Sequence, residues 1–123
     1  MMARVLVADD ASFMRQMIRE IVEAEGHEVV GEASDGDEAV TEFKRLHPDV
    51  VTMDIVMPRR SGIDAVKGIV ALDPSARIVM CSALGQETLV QEALQAGALD
   101  FIVKPFKPDA VVATLGKVLE KED

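Results

Sequence analysis

Short apolar runs alternate along this chain with longer segments in which apolar residues recur at helical spacing. The runs are rich in β-branched residues and are predicted to be strands, at Val5–Ala8, Val29–Ala33, Val50–Met53, Ile78–Cys81 and Phe101–Val103. They lack a strict alternation of apolar and polar residues, which is typical of strands buried on both faces of a parallel sheet.

The segments of helical period carry start and stop signals. Five helices are predicted: one through the stripe Phe13, Met14, Met17, Ile18, Ile21 and Val22 to Gly26, one from near Asp37 that stops before His47-Pro48, one from Ser61 to about Leu72, one over residues 86–96 before Gly97, and one from near Pro108 through Leu119. Met14 and Met17 are expected in the core. Five strands alternating with five helices predict a doubly wound α/β domain with right-handed crossovers and a parallel sheet covered on both sides.

Composition narrows the class of protein. With 123 residues the chain is predicted to be one domain, residues 1–123, and its net charge of −9 argues against nucleic acid as a partner. Cys81 is the sole cysteine, which excludes an intrachain disulfide and favours a reducing compartment. The N-terminus resembles neither a signal peptide nor a membrane span, so a cytoplasmic protein is expected.

Polar residues that could carry chemistry follow four of the five predicted strands. Asp9 and Asp10 follow the first strand, Asp54 the third, Ser82 the fourth and Lys104 the fifth. In an open parallel sheet, ligands bind beyond the carboxyl ends of the strands. Each residue taken alone has an ordinary explanation, since an Asp-Asp pair after a strand is more commonly a helix N-terminus. Their joint placement at four strand ends favours a functional site.

The predicted cluster has a definite chemistry. Three carboxylates brought together repel one another, and a raised pKa or a bound cation relieves the repulsion. Oxygen ligands favour a hard ion such as Mg²⁺, with Mn²⁺ as an alternative. A carboxylate beside such a cation can attack phosphorus. Lys104 would balance the charge of a phosphoryl group, and the Ser82 hydroxyl could donate a hydrogen bond to it.

Four motifs together resemble those of the response-regulator receiver family: Val7-Ala8-Asp9-Asp10, Met53-Asp54-Ile55-Val56-Met57-Pro58, Cys81-Ser82-Ala83 and Val103-Lys104-Pro105-Phe106. The resemblance covers essentially the whole chain and is greatest to the stand-alone chemotaxis members of the family. It implies a flavodoxin-like fold with strand order 2-1-3-4-5. It also implies a binding switch with weak self-dephosphorylation rather than an enzyme.

The resemblance also implies individual roles. Asp54 would accept a phosphoryl group from the phosphohistidine of a chemotaxis-type sensor kinase. Asp10 and Asp54 would bind Mg²⁺ directly together with the main-chain carbonyl of Val56, and Asp9 would act mainly through water. Ser82 and Lys104 would contact the phosphoryl group.

Signal output is implied by the same resemblance. Phe101 matches the aromatic switch position, which packs inward as Ser82 is pulled towards the phosphoryl group. The fourth helix, fifth strand and fifth helix would then bind the flagellar motor switch protein, and a phosphatase could end the signal. The protein would be a monomer and would not bind a membrane. A cis peptide is expected at Lys104-Pro105.

The sequence departs from relatives at three places. Phe101 lacks the hydroxyl of the tyrosine common there, Arg59-Arg60 makes the loop after Met57-Pro58 basic, and Val56 and Leu84 are apolar where some relatives are polar.

Three other functions are alternatives to this binding switch. A receiver could instead shuttle a phosphoryl group to another histidine in a phosphorelay. A haloacid-dehalogenase-type phosphatase would need an Asp-x-Asp pattern after the first strand, and Asp9-Asp10 lacks the spacer. A flavodoxin would need a phosphate-binding loop after that strand and a Trp or Tyr to stack on flavin. The 123 residues are accounted for by the predicted receiver without an effector domain, so direct control of DNA by this chain is not expected.

Overall fold

A computed structural model of the protein describes residues 2–120; residue 1 and residues 121–123 of the predicted domain lie outside this range. The described chain forms five parallel strands in the order β2-β1-β3-β4-β5, flanked by five helices. The elements are β1 Arg4–Ala8, α1 Ser12–Ala24, β2 Glu28–Ala33, α2 Gly36–Leu46, β3 Val50–Asp54, α3 Gly62–Leu72, β4 Ile78–Ser82, α4 Glu87–Ala96, β5 Asp100–Val103 and α5 Pro108–Leu119. The predicted fold class and strand order are confirmed.

The three central strands are buried on both faces, as predicted, and the two edge strands are not. Every residue of β3 and β4 is buried, and in β1 all but Arg4 are. In β2 only Ala33 is buried, and in β5 only Ile102 is. The prediction that every strand is buried on both faces is wrong for β2 and β5. Each of these edge strands has a neighbouring strand on one side only, and the helices cover its faces incompletely.

Alternation along β1 divides the interior into two cores. Val5 and Val7 pack with α1 and α5 on one face of the sheet, and Leu6 and Ala8 pack with α2, α3 and α4 on the other. Successive side chains of a strand point to opposite faces, so a continuous apolar run supplies both cores. The sheet is thereby held from both sides, which fixes the loops at its carboxyl edge.

Helix α1 buries a narrower stripe than its sequence suggests. Ile18 and Val22 are buried, Met14 is half-buried, and Phe13 and Met17 are 66% and 39% exposed. The expectation that Met17 lies in the core is therefore wrong, and Met14 is not among the buried residues that form the two cores. Six apolar residues cover a wider arc of the helix than the sheet contacts, so residues at the margin of the stripe face solvent.

Helix α3 begins where the sequence predicted, with Ser61 at its start. Ser61 is the N-cap residue, and its hydroxyl accepts a hydrogen bond of 3.1 Å from the amide of Asp64. Helix α2 begins one residue before the predicted Asp37, because the carboxylate of Asp35 accepts the amide of Glu38 at 2.8 Å and acts as its cap. Both caps lie at the carboxyl edge of the sheet and fix the helices that border it.

Candidate functional site

Three carboxylates meet at the carboxyl edge of the sheet. Asp9 and Asp10 follow β1, and Asp54 is the last residue of β3. One carboxylate oxygen from each lies within 4.8 Å of the others. Asp9 and Asp54 are buried, whereas Asp10 is exposed. We call these three residues the acidic pocket.

The ammonium of Lys104 reaches two of these carboxylates. Its Nζ donates a hydrogen bond of 2.9 Å to Oδ2 of Asp9 and lies 3.3 Å from Oδ1 of Asp54. Lys104 directly follows β5, at the far end of the sheet order from β2, and the peptide bond between Lys104 and Pro105 is cis, as predicted. A cation from the last strand therefore faces carboxylates from the first and the third.

Asp9 is held at each of its polar groups. Its amide donates to the carbonyl of Ala33 at 2.9 Å, and its Oδ1 accepts the amide of Ala11 at 2.9 Å. Its Oδ2 accepts from Lys104, and its main-chain carbonyl accepts a hydrogen bond of 2.7 Å from Nη1 of Arg15. Both carboxylate oxygens of Asp9 therefore already accept a hydrogen bond inside the protein, one of them from the ammonium of Lys104.

Electrostatics in the acidic pocket favour a cation. Burial, followed by the charge of Asp9, raises the pKa of Asp54 to about 6, although Lys104 partly opposes this. Burial lowers the pKa of Lys104, but the hydrogen bond to Asp9 and the charges of Asp54 and Asp9 outweigh it, so this pKa lies above its ordinary value. Lys104 is therefore charged at neutral pH, while Asp54 pays a penalty for ionisation that a divalent ion would relieve.

The donor atoms of the acidic pocket fit a hard divalent ion. All three side chains offer carboxylate oxygens, which Mg²⁺ and Mn²⁺ prefer over nitrogen and sulfur. Because Asp10 is exposed, the acidic pocket is open to solvent on its side, and an ion with its waters can enter there. The nearby thiol of Cys81 is buried within β4, and burial holds its pKa well above its ordinary value, so it would not compete as a thiolate ligand.

The remaining predicted residues border the acidic pocket at different depths. Ser82 ends β4 with 2% exposure, and its carbonyl accepts the amide of Lys104 at 2.7 Å. Val56 and Leu84 are 57% and 83% exposed. Phe101 on β5 is 39% exposed and lies beside a cavity of about 120 Å³ that is also lined by Ser82.

Gly62 packs directly against the backbone of Asp54. A Cβ placed on Gly62 would meet the carbonyl oxygen of Asp54, and the Gly62 amide donates to the carbonyl of Ile55 at 2.8 Å. The first residue of α3 thus fixes the end of β3, which carries Asp54. Sequence reasoning missed this glycine, because a glycine after a capping serine is common for other reasons.

Sequence reasoning also missed Arg15. Its guanidinium joins the carbonyl of Asp9 to the carboxylate of Glu32 on β2, each at 2.7 Å. The chain has 13 lysines and arginines, and helical spacing alone does not show which of them turns towards a strand end.

Comparison with known proteins decides the family. The family model described as "Response regulator receiver domain" matches residues 5–116. The chain belongs to the response regulator receiver family. Within this receiver, the acidic pocket, Ser82 and Lys104 occupy the strand ends that the motifs indicated.

Relatives of this receiver include chemotaxis proteins. Chemotaxis protein CheY of Thermotoga maritima is 57% identical over 115 residues, covering 94% of this chain and 96% of that protein. Chemotaxis protein CheY of Bacillus subtilis is 53% identical over 116 residues, covering 94% and 97%. The crystal structure of the CheX-CheY-BeF3-Mg²⁺ complex from Borrelia burgdorferi matches with a TM-score of 0.91 at 39% identity, covering 96% of this chain and 90% of that one. These matches support a chemotaxis response regulator.

No helix within residues 2–120 is both long enough and apolar enough to cross a lipid bilayer.

Proposed function

We propose that this receiver is a chemotaxis response regulator that is phosphorylated on Asp54 and, in that state, binds the flagellar motor switch protein. The observation that carries the proposal is the convergence on Asp54 of the acidic pocket and the ammonium of Lys104. Its similarity to CheY proteins over nearly the whole chain supports the chemotaxis assignment.

The acceptor is Asp54, and its donor is the phosphohistidine of a sensor kinase. A carboxylate oxygen of Asp54 forms a bond to phosphorus while the bond from phosphorus to the imidazole nitrogen breaks. The electron pair of that bond stays with the imidazole, which takes up a proton from solvent. Lys104 lies 3.3 Å from Asp54, so it can balance charge on the phosphoryl group. Ser82 would donate a hydrogen bond from its hydroxyl to a phosphoryl oxygen.

Asp10 and Asp54, with the main-chain carbonyl of Val56, would bind Mg²⁺. When bound, the ion neutralises charge on the phosphoryl oxygens during transfer. Asp9 would act through water and through Lys104, which matches the engagement of both its carboxylate oxygens within the protein. Mn²⁺ has the same ligand preference and is expected to substitute.

Output would pass through Phe101 to the face formed by α4, β5 and α5. Movement of Ser82 towards the phosphoryl group would let the Phe101 ring pack inward, into the cavity of about 120 Å³ beside it. Without a hydroxyl on this ring, the change is one of packing. Leu84 and Val103 are exposed next to Phe101 and would give the partner an apolar surface.

The signal could end through weak self-dephosphorylation or a dedicated phosphatase. CheX accompanies CheY in the Borrelia burgdorferi complex, which supports the expectation of a further protein partner. We expect the receiver to act as a monomer. A phosphorelay shuttle is the second candidate, and it would pass the phosphoryl group to a histidine without binding the motor.

Labelling with acetyl phosphate tests the acceptor. Wild-type protein in Mg²⁺ should gain one phosphoryl group by intact mass spectrometry, and Asp54→Asn should gain none. Asp109→Asn, at the start of α5, is the matched control and should label as wild type. Full Mg²⁺-dependent labelling of Asp54→Asn would reject the assignment.

A pull-down from lysate tests the output. Protein treated with beryllofluoride and Mg²⁺ should recover motor switch protein, and untreated protein should not. Recovery of a histidine phosphotransfer protein in place of the motor switch protein would favour the shuttle.

A further inference from the structure

We propose that Arg15 is a positioning residue that holds the peptide plane between Asp9 and Asp10 and thereby raises the affinity of the acidic pocket for divalent cations. The proposal rests on the proposed function, because it concerns the same ion. It assigns to α1 a direct part in building the pocket.

Two elements hold the Arg15 guanidinium in place. Its Nη1 donates to the carbonyl of Asp9 and its Nε to Oε1 of Glu32, both at 2.7 Å. Glu32 lies on β2, and its Oε2 accepts from Arg19 at 2.7 Å. The Arg15 side chain is 18% exposed, so it lies against the protein and not in solvent. A guanidinium fixed by a carboxylate on one side can direct a second donor with little loss of side-chain entropy.

The carbonyl of Asp9 is the point where such a donor has most effect. A peptide unit is planar, so this carbonyl and the amide of Asp10 turn together. The amide of Asp9 and its two carboxylate oxygens are already held by Ala33, Ala11 and Lys104. Arg15 adds a hydrogen bond to the Asp9 carbonyl and thereby restrains rotation of this plane. Because the Asp10 side chain is exposed, its direction depends on this backbone more than on packing.

The charge of Arg15 and its geometry predict effects of opposite sign. A cation near the pocket repels Mg²⁺, so loss of the charge alone would make the ion bind more tightly. Loss of the hydrogen bond to Asp9 would let the turn move, and the ion would bind more weakly. Partners that orient metal ligands from outside typically contribute ten- to one hundredfold in affinity. The direction of the change therefore separates positioning from simple electrostatics.

Mg²⁺ titrations of three variants test the proposal. Arg15→Gln removes the positive charge together with the guanidinium that contacts Asp9 and Glu32. Arg15→Lys keeps the positive charge but lacks the guanidinium that contacts both residues. Arg19→Gln is the matched control, because Arg19 binds the same Glu32 one turn along α1 but makes no contact with Asp9. We expect both Arg15 variants to bind Mg²⁺ about tenfold more weakly by calorimetry, and Arg19→Gln to stay within about twofold of wild type. Circular dichroism checks that each variant is folded at the temperature used.

Hydrogen exchange gives a second readout without metal. The Ala11 amide donates to Oδ1 of Asp9, so it should exchange faster in both Arg15 variants and as in wild type in Arg19→Gln. Affinity for Mg²⁺ in Arg15→Gln equal to or above that of wild type overturns the inference alone, as does unchanged exchange at Ala11. Wild-type protein that binds no Mg²⁺ overturns the inference and the proposed metal site together.

Discussion

Lys104 and Asp9 lie 95 residues apart in the chain, yet their side chains meet in a hydrogen bond of 2.9 Å. The bond joins the first strand to the last across the carboxyl edge of the sheet, with Asp54 between them in the strand order. The site therefore depends on the fold, because the Lys104 ammonium and the Asp9 carboxylate meet only when the sheet has assembled.

Replacement of Lys104 by Met should therefore destabilise the protein. The change keeps the apolar stem and leaves Asp9 and Asp54 facing each other without a cation. We expect the free energy of unfolding at pH 8 in EDTA to fall by about 2 kcal/mol, measured by urea denaturation. Lys117→Met is the control, because Lys117 pairs with Asp100 at 3.2 Å but is 70% exposed, and its loss should cost at most about 0.5 kcal/mol. Equal losses in the two variants would contradict this account of Lys104.

The raised pKa of Asp54 predicts a stability that depends on pH. In the folded protein this carboxyl titrates at about 6, against about 4 in the unfolded chain. Ionisation thus costs stability, progressively as pH rises through this interval and fully above it. Asp54→Asn should be more stable than wild type by up to about 3 kcal/mol at pH 8 in EDTA, and the two should converge near pH 4.

Thermal unfolding of both proteins across this pH range is the measurement. Added Mg²⁺ should stabilise wild type more than Asp54→Asn, because the ion relieves the same repulsion. A stability difference that persists unchanged at pH 4 would show that something other than this ionisation is responsible.

The close packing of Gly62 against the Asp54 backbone predicts that a larger residue there is harmful. In Gly62→Ala the new Cβ meets the Asp54 carbonyl, so α3 or the end of β3 must shift. We expect a loss of about 2 kcal/mol in stability, measured by urea denaturation, and slower labelling by acetyl phosphate. Gly116→Ala is the matched control on α5, where a Cβ meets nothing within 4 Å, and it should gain up to about 1 kcal/mol. Normal labelling and stability in Gly62→Ala would show that the close approach is easily relaxed.

The exposed apolar pair Val56 and Leu84 predicts a long-lived phosphoryl group. Loss of phosphate needs a water in line with the bond to Asp54, and polar neighbours orient that water. Neither side chain can donate or accept a hydrogen bond. In the double variant Val56→Asn with Leu84→Glu, decay of the phosphorylated protein in Mg²⁺ should be about tenfold faster, if each polar group supplies half of about 1.4 kcal/mol. An unchanged decay rate would direct attention to Met57 or the loop at Arg59 and Arg60.

Much of this molecule could be predicted from its sequence. Apolar runs of strand length between segments of helical period indicated the sheet, and the residues following the runs indicated the edge where the acidic pocket lies. This was possible because strand length, helical period and caps are local properties, and because parallel strands bring their carboxyl ends to one edge. The cap at Ser61 and the burial of Cys81 are of the same local kind.

The tertiary structure alone decided the individual contacts within the pocket and the face of α1 that is exposed. The pattern along α1 placed Met17 with the core, but the sheet contacts only part of that stripe and leaves Met17 exposed. Lys104 turns to Asp9 as well as to Asp54, and Arg15 turns to the carbonyl of Asp9. These contacts join β1 to elements that lie from six to 95 residues along the chain. Their partners are set by strand order and helix rotation, which depend on the packing of the whole sheet and not on any local stretch of sequence.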